Sequence, residues 1–119
     1  MTDPALLQAL QDPAVYPEPT TRVEVRETHS SVVFLTDHYV YKVKKPLNLG
    51  FLDYSTLEKR RVNCHEELRL NRRLSRGVYL DVVVLHRHGP QYTFVPQGPV
   101  VEYVLKMRRL PADSSPLLA

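Results

Sequence analysis

The sequence predicts an α+β protein: an antiparallel sheet of about five strands, one long helix packed across it and a short N-terminal helix. Short runs rich in β-branched and aromatic residues flank a single stretch of helix-forming residues from 55 to 74. The chain has 119 residues, enough for one domain, and 43% of them are hydrophobic, as in ordinary globular proteins. Ten prolines divide the chain into segments, because proline interrupts both helices and central strands.

The first 21 residues form an N-terminal helix and a proline-rich connector in this prediction. Asp3 is placed to cap a short helix over residues 4–10, with a proline at its first position. Three further prolines predict an extended connector: Pro13, Pro17 and Pro19. We expect this segment to dock on the domain formed by residues 22–110, and we expect residues 111–119 to fray.

Alternating residues predict three strands before the long helix and two or three after it. The predicted strands cover residues 23–25, 32–35 and 39–43, and then 79–85, 92–95 and 100–107. The turn at 36–38 is tight. The loop at 28–31, Thr-His-Ser-Ser, is small and polar enough to bend sharply. Its hydroxyl and backbone N–H groups make it a candidate to face a phosphate.

The long helix has recognisable signals at both ends. Ser55 and Glu58 have the spacing of a capping box, which predicts the start of the helix. Good helix formers continue to Leu74, and Gly77 is placed to end the helix. Asp81 and Glu102 lie on predicted strands and receive no role.

One stripe of this helix is expected to face the sheet. The stripe contains Leu57, Arg61, Cys64, Leu68 and Asn71. Glu67 lies about 60° from the centre of the stripe and reaches inward, whereas Glu66 lies about 160° away and faces solvent. On the third strand, Lys42 lies inside the most β-prone segment of the chain. A lysine in that position indicates either a partner or a function.

The net charge of +3 is a mild excess whose effect depends on its distribution. Seven of the sixteen basic residues lie between Lys59 and Arg76, so the middle of the chain is its basic part. A further three lie close together: Lys42, Lys44 and Lys45. This distribution favours a polyphosphate or nucleic acid only if the charges share one face.

Several classes of site are excluded by composition. The single cysteine, Cys64, excludes an intramolecular disulfide and a CxxC site, and we expect it to behave as a small core residue. Histidines near it and at His86 and His88 are too few for a metal site. The chain has no apolar run of about 20 residues and no signal-like N-terminus. We therefore expect a cytoplasmic protein with no membrane partner.

Four blocks of sequence resemble the N-terminal part of aminoglycoside-phosphotransferase-like proteins, which have a protein-kinase-like fold. The blocks are ETHSSVVFL (27–35), YVYKVKKP (39–46), GFLDYSTLEKR (50–60) and EELRLNRRL (66–74). The resemblance runs from about residue 12 to 111. It points to a bacterial group whose members often carry an additional ATP-binding domain. It implies a nucleotide-binding N-lobe that takes ATP with Mg²⁺.

The resemblance also implies roles for particular residues. Lys42 would contact the α- and β-phosphates of ATP, and Glu67 would be its ion-pair partner. Lys44 or Arg60 is an alternative partner for Glu67. The residues that would lie over the phosphates are Thr28, His29, Ser30 and Ser31. The hinge whose backbone binds adenine would comprise Lys106, Met107, Arg108, Arg109 and Leu110.

The catalytic half of such an enzyme has no counterpart in these 119 residues. The resemblance assigns no catalytic aspartate in an H-G-D or H-R-D context, and no Mg²⁺ ligand. The loop at 28–31 also lacks the G-x-G-x-x-G glycines of protein kinases. We therefore expect no phosphate transfer by the chain alone. The expected partners are ATP and either a C-lobe encoded elsewhere or a second copy of the chain.

Two other functions remain open at this stage. One is a non-catalytic interaction module on the same scaffold, which would carry an exposed apolar patch. The other is a small basic nucleic-acid-binding domain, which would need a continuous basic face with exposed aromatic residues. The arginines of the long helix point in several directions, so nucleic-acid binding ranks last of the three functions.

Overall fold

The computed structural model describes residues 3–75 and 77–110, so the predicted tail and Arg76 lie outside the described residues. Helix α1 spans Pro4–Ala9, a 3-10 turn spans Pro13–Val15, and the long helix α2 spans Leu57–Leu74. The strands are β1 (Glu24–Glu27), β2 (Ser31–Leu35), β3 (Tyr39–Lys44), β4 (Tyr79–His88), β5 (Gln91–Thr93) and β6 (Val100–Arg108). The predicted α+β class is confirmed.

The described strands form one antiparallel sheet in the order β1-β2-β3-β6-β4-β5. The sheet has six strands, slightly more than the predicted five or so. Strand β4 runs three residues beyond its predicted end because it forms a hairpin with β5, in which Arg87 pairs with Tyr92 and His88 with Gln91. The corner before β6 passes close to β4, and a side chain at Gly98 would collide with the carbonyl oxygen of Arg87.

Both faces of the sheet are covered, because alternate strand residues enter two separate cores. The helix-side core lies under α2 and contains Val33, Leu35, Val40, Cys64, Leu68, Val82, Leu105 and Met107. The outer core contains Leu6, Leu10, Tyr16, Val32, Phe34, Tyr41, Val43, Leu85 and Val104. The one long helix that the sequence predicts to pack across the sheet therefore covers only one of its two buried faces. The apolar run of β2, in which every residue is buried, is typical of a strand covered on both sides.

The N-terminal segment supplies the cover on the outer face. Leu10 is fully buried there, and its carbonyl oxygen accepts a hydrogen bond of 2.5 Å from the Tyr16 hydroxyl. Further along the connector, the Glu18 carboxylate accepts hydrogen bonds from Tyr41 of β3 and Lys106 of β6. The connector is thus fixed to the centre of the sheet.

Helix α2 begins one residue later than the capping box predicts. Thr56 is the N-cap, and its hydroxyl oxygen accepts a hydrogen bond of 3.1 Å from the backbone N–H of Lys59. Ser55 does not cap the helix, because its N–H and hydroxyl both donate to Asp53 Oδ1, at 3.0 and 2.6 Å. The helix ends at Leu74 as predicted. Cys64 and Leu68 are its buried residues.

Candidate functional site

Strand β3 places two lysines on the face that α2 covers. Side chains alternate along a strand, so Lys42 and Lys44 share the face of Val40, which lies in the helix-side core. Strand β3 is paired on both sides in this region: Lys42 is opposite Val33 of β2 and Leu105 of β6. Its backbone is therefore held in place, and only the side chains are available for function.

Helix α2 places Glu67 against these lysines. Cys64 and Leu68 pack into the helix-side core and fix the rotation of the helix, so Glu67 lies at the edge of that core. Lys42 Nζ donates to Glu67 Oε2 at 3.2 Å, and Lys44 Nζ donates to Glu67 Oε1 at 2.6 Å. The structure thus brings Lys42 and Glu67 together, and it adds Lys44. We call these three side chains the lysine–glutamate cluster.

The cluster is largely shielded from water. The exposed fraction of the side chain is 3% for Lys44, 22% for Lys42 and 19% for Glu67. Burial acts to raise the pKa of Glu67, but the charges of Lys44 and Lys42 outweigh it and hold that pKa below its ordinary value. Burial likewise acts to lower the pKa of Lys44, and the Glu67 carboxylate keeps it above its ordinary value. The cluster therefore holds two cations and one anion.

Ser31 lies next to the cluster and has an unusual hydroxyl. It is the cross-strand neighbour of Lys44 and is fully buried. Within the described part of the chain, its Oγ has no hydrogen-bond partner. A buried hydroxyl without a partner is unfavourable and calls for a ligand or a water molecule nearby. Ser31 is also the last residue of the predicted phosphate loop.

The rest of that loop is occupied with closing the β1–β2 hairpin. Thr28 donates through both its N–H and its hydroxyl to the carbonyl oxygen of Ser31, at 2.8 and 3.1 Å. The N–H of Ser31 donates back to Thr28 Oγ1 at 3.0 Å, and the carbonyl oxygen of Ser30 accepts from Lys45. The Thr28 hydroxyl is thus engaged within its own turn, and its place over a phosphate stays a prediction. His29 is exposed and Ser30 is half-buried.

The predicted hinge is mostly strand. Lys106, Met107 and Arg108 belong to β6, and the Met107 side chain is buried in the helix-side core. The backbone N–H of Arg108 donates to Val78, and that of Arg109 donates to His38. These two donors are therefore engaged within the fold, and adenine binding by the backbone of this segment stays a prediction. Leu110, the last described residue, is half-buried.

Arg60, the other suggested partner of Glu67, lies elsewhere. Its Nε donates to Glu102 Oε1 at 3.1 Å and its Nη1 donates to the carbonyl oxygen of Tyr54 at 2.8 Å. Sequence reasoning gave Glu102 no role and missed this buried pair. It also treated Lys44 only as an alternative to Lys42. The two-residue spacing of these lysines on one strand was a usable signal, because it places both on the same face.

Comparison with known proteins finds relatives of unassigned function. Uncharacterized proteins from two strains of Mycobacterium tuberculosis and from Mycobacterium bovis are 38% identical to the chain over 87 residues. The matched region is 73% of this chain and 16% of each relative, so the chain spans about one sixth of the length of these proteins. No protein-family model matches the chain. No solved structure matches it either.

Two structural observations bear on the kind of site. Among residues 3–75 and 77–110, no group of three histidine, cysteine, aspartate or glutamate side chains is placed to hold a metal ion. None of the described helices is long and apolar enough to cross a membrane.

Proposed function

We propose that this chain is the nucleotide-binding lobe of a kinase-like small-molecule phosphotransferase and that Lys42 binds the phosphates of ATP. The observation that carries the proposal is the ion pair between Lys42 on the third strand and Glu67 on the next long helix. In kinases, a lysine on the third strand contacts the α- and β-phosphates and is held by a glutamate of the following helix. In this chain too, a lysine of the third strand pairs with a glutamate of the long helix that follows it.

The charge of the cluster supports an anionic ligand. Two lysines and one glutamate leave one positive charge in a region that is mostly shielded from water. Such a charge is costly unless a counter-ion reaches it. Lys42 is the more exposed of the two lysines, so it is the one that a phosphate can approach. The unpartnered Ser31 hydroxyl beside the cluster is a donor that a phosphate oxygen would satisfy.

Each residue of the cluster then has a chemical task. Lys42 neutralises phosphate charge, and Glu67 keeps its ammonium group oriented and protonated. Bound ATP would supply the transferable phosphoryl group. The transfer also needs Mg²⁺ ligands and a group that positions the acceptor. The resemblance assigns those tasks to a C-lobe.

The proposal predicts weak binding without turnover for the 119-residue chain. We expect the dissociation constant for Mg-ATP to be in the high micromolar range or above, which corresponds to about 4–6 kcal/mol. Isothermal titration calorimetry on the wild type, Lys42→Met and Lys45→Met tests the site. Lys45 is a matched control because it pairs with Glu27, which is exposed, rather than with Glu67. Lys42→Met should weaken binding at least about tenfold, since a charged hydrogen bond is lost.

Two outcomes would contradict the proposal. Equal Mg-ATP affinity in the wild type and Lys42→Met would remove the site assignment. Phosphate release by the purified chain above the rate of a protein-free blank would show that the chain itself holds the catalytic groups. Unfolding curves of each variant confirm that the comparison is made between folded proteins.

A non-catalytic interaction module is the second candidate, and exposed apolar residues favour it. Phe51, in the loop between β3 and α2, is 85% exposed, and Leu74 at the end of α2 is 82% exposed. Nucleic-acid binding has less support, because α2 arginines pair with glutamates of their own helix, as in Arg61–Glu58 and Arg69–Glu66. Retention of the fold without any nucleotide affinity would favour the interaction module.

A further inference from the structure

The flank of α2 that carries Glu67 also carries two leucines that are exposed to solvent. Leu70 follows Glu67 by three residues and Leu74 follows it by seven, so the three side chains lie within about 60° of one another around the helix axis. The exposed fraction is 46% for Leu70 and 82% for Leu74. A single exposed leucine is common, but two neighbours on one flank form an apolar surface. We call Leu70 and Leu74 the leucine pair.

The described chain ends close to the leucine pair, because β6 is held against the segment that follows α2. The backbone N–H of Arg108 donates to the carbonyl oxygen of Val78 at 2.7 Å, and its Nε donates to that of Gly77 at 3.0 Å. Gly77 and Val78 come three and four residues after Leu74. A domain that follows this one in a longer chain would therefore begin near the end of α2.

The size of the leucine pair indicates what kind of partner can use it. A stable complex of two separate proteins buries about 800 Å² on each partner, and two leucine side chains supply only a fraction of that area. A domain joined to the same chain needs less contact, because the link keeps it at a high effective concentration. The pair therefore suits a covalently linked domain better than a second copy of the chain.

The mycobacterial relatives are long enough to contain such a domain. The match covers 87 of 119 residues, so at most 32 residues can precede or follow it, and residues 33–87 with the leucine pair lie inside it. The matched region is 16% of each relative, so most of each relative lies outside it. A phosphotransferase also needs groups that bind Mg²⁺ and position the acceptor, which are the tasks of a second lobe.

We propose that the leucine pair is the docking surface for the second lobe of the phosphotransferase, which contacts it through an apolar surface. This inference rests on the proposed function for the identity of the partner. The lobe contacts the turns of α2 that follow Glu67, so the Lys42–Glu67 ion pair stays in place. Phosphates bound at Lys42 would then lie close to the contact between the two lobes.

Thiol labelling measures whether the leucine pair is covered. Leu70→Cys, Leu74→Cys and Val62→Cys are made singly in the 119-residue chain, treated with a maleimide and followed by mass spectrometry. Val62 is the matched control, since it is 50% exposed on the same helix but lies about 120° around the axis from Leu74. In this chain we expect Leu74→Cys to react at least as fast as Val62→Cys.

The native cysteine supplies an internal check on folding in the same experiment. Cys64 is fully buried, and burial raises the pKa of its thiol to about 11. A buried thiol that is not ionised does not react with the maleimide while the protein is folded. Labelling of Cys64 therefore identifies any variant that has unfolded.

The same substitutions are then made at the aligned positions of the full-length Mycobacterium tuberculosis relative. There we expect the cysteine aligned with Leu74 to react at least about tenfold more slowly than the one aligned with Val62, because only transient opening would expose it. Hydrogen exchange gives a second measurement that needs no substitution. The segment of the relative that aligns with residues 70–74 should exchange more slowly than residues 70–74 of the 119-residue chain.

Several outcomes would overturn the docking surface. Equal reactivity of the two aligned cysteines in the folded relative would do so, and so would equal exchange of the helix end in the two proteins. Slow labelling of Leu74→Cys in the 119-residue chain would also overturn it. A rate that falls with protein concentration would then identify a second copy as the cover, and a rate independent of concentration would identify the chain itself.

The docking surface and the proposed function fail in different ways, because the labelling uses no nucleotide. Protection of the leucine pair in a relative that does not bind Mg-ATP would refute the phosphotransferase and support contact with a linked domain. Binding of Mg-ATP by a relative whose leucine pair is unprotected would overturn the docking surface alone.

Discussion

Arg60 of α2 and Glu102 of β6 form a second buried ion pair, separate from the lysine–glutamate cluster. Their side chains are 11% and 5% exposed, and the Arg60 Nε lies 3.1 Å from Glu102 Oε1. Burial raises the pKa of Glu102 above its ordinary value, and the attraction of Arg60 opposes the rise only in part. The pair therefore makes stability depend on pH in a definite direction.

Replacing Arg60 with methionine should destabilise the protein by about 3 kcal/mol at pH 7.5, because Glu102 is left buried and unpaired. A carboxyl group whose pKa is higher in the folded state favours folding below its unfolded pKa, and this contribution is lost as the pH rises through the folded pKa. The loss in Arg60→Met should thus shrink at pH 5. Urea unfolding of the wild type and Arg60→Met at pH 7.5 and pH 5 measures this loss of stability at each pH.

The double variant Arg60→Met/Glu102→Gln is the control for this prediction. It has no carboxyl group to titrate at position 102, so its stability relative to the wild type should vary much less between the two pH values. The same free-energy loss in Arg60→Met at pH 5 and pH 7.5 would contradict the prediction.

For individual residues, the sequence predicts some side-chain partners and not others. The inward position of Glu67 follows from helical periodicity, and the position of Lys42 follows from strand alternation. Whether Lys42 or Lys44 would meet Glu67 stayed open, because alternation places both on one face. The pairing of Arg60 with Glu102 could not be predicted, since periodicity within each element says nothing about which buried charges meet across the fold.

Among the elements, the two hairpins before α2 are closed by the same hydrogen-bond pattern. The N–H and hydroxyl of Thr28 donate to Ser31, and those of Thr36 donate in the same way to Tyr39. The turn positions were predictable from their small polar residues. The hydrogen bonds of the two threonine hydroxyls within their own turns were not predicted, because a polar loop residue can bind either the nearby backbone or a ligand.

The start of α2 gives a prediction that separates two candidate caps. Thr56→Ala should destabilise the protein by about 1 kcal/mol, because the N–H of Lys59 loses its acceptor at the helix start. Ser55→Ala should cost less, about 0.5 kcal/mol or below, since this residue lies outside the helix. Chemical denaturation of the two variants measures the difference. A larger loss in Ser55→Ala would restore the capping box that the sequence predicts.

The molecule as a whole depends on a segment that the sequence sets apart as a connector. The sequence predicted that residues 1–21 interrupt regular structure and dock on the domain, but it did not predict the face of the sheet on which they pack. Leu6, Leu10 and Tyr16 join the outer core with Phe34 and Tyr41 of the sheet. The sheet is therefore buried on both faces by residues that are distant in sequence, a tertiary effect that local patterns do not encode.

The stability of the whole fold should depend on this segment. Burial of each large apolar side chain contributes about 1.5–3 kcal/mol, so the loss of three of them approaches the total stability of a small domain. We expect a chain lacking residues 1–21 to aggregate or to bind a hydrophobic dye, because Phe34 and Tyr41 would face solvent. Light scattering and thermal unfolding measure this outcome.

Point substitutions in the full-length chain test the same idea without truncation. Leu10→Ala should lower the free energy of unfolding by about 3 kcal/mol, because Leu10 is fully buried and its loss leaves a cavity between the N-terminal segment and the sheet. Gln8→Ala, at an exposed position of helix α1, should change the free energy of unfolding by about 0.5 kcal/mol or less. A truncated chain that unfolds at the wild-type temperature, with Leu10→Ala as stable as Gln8→Ala, would show that the sheet does not need this cover. The outer core would then have to be stabilised by the strands alone.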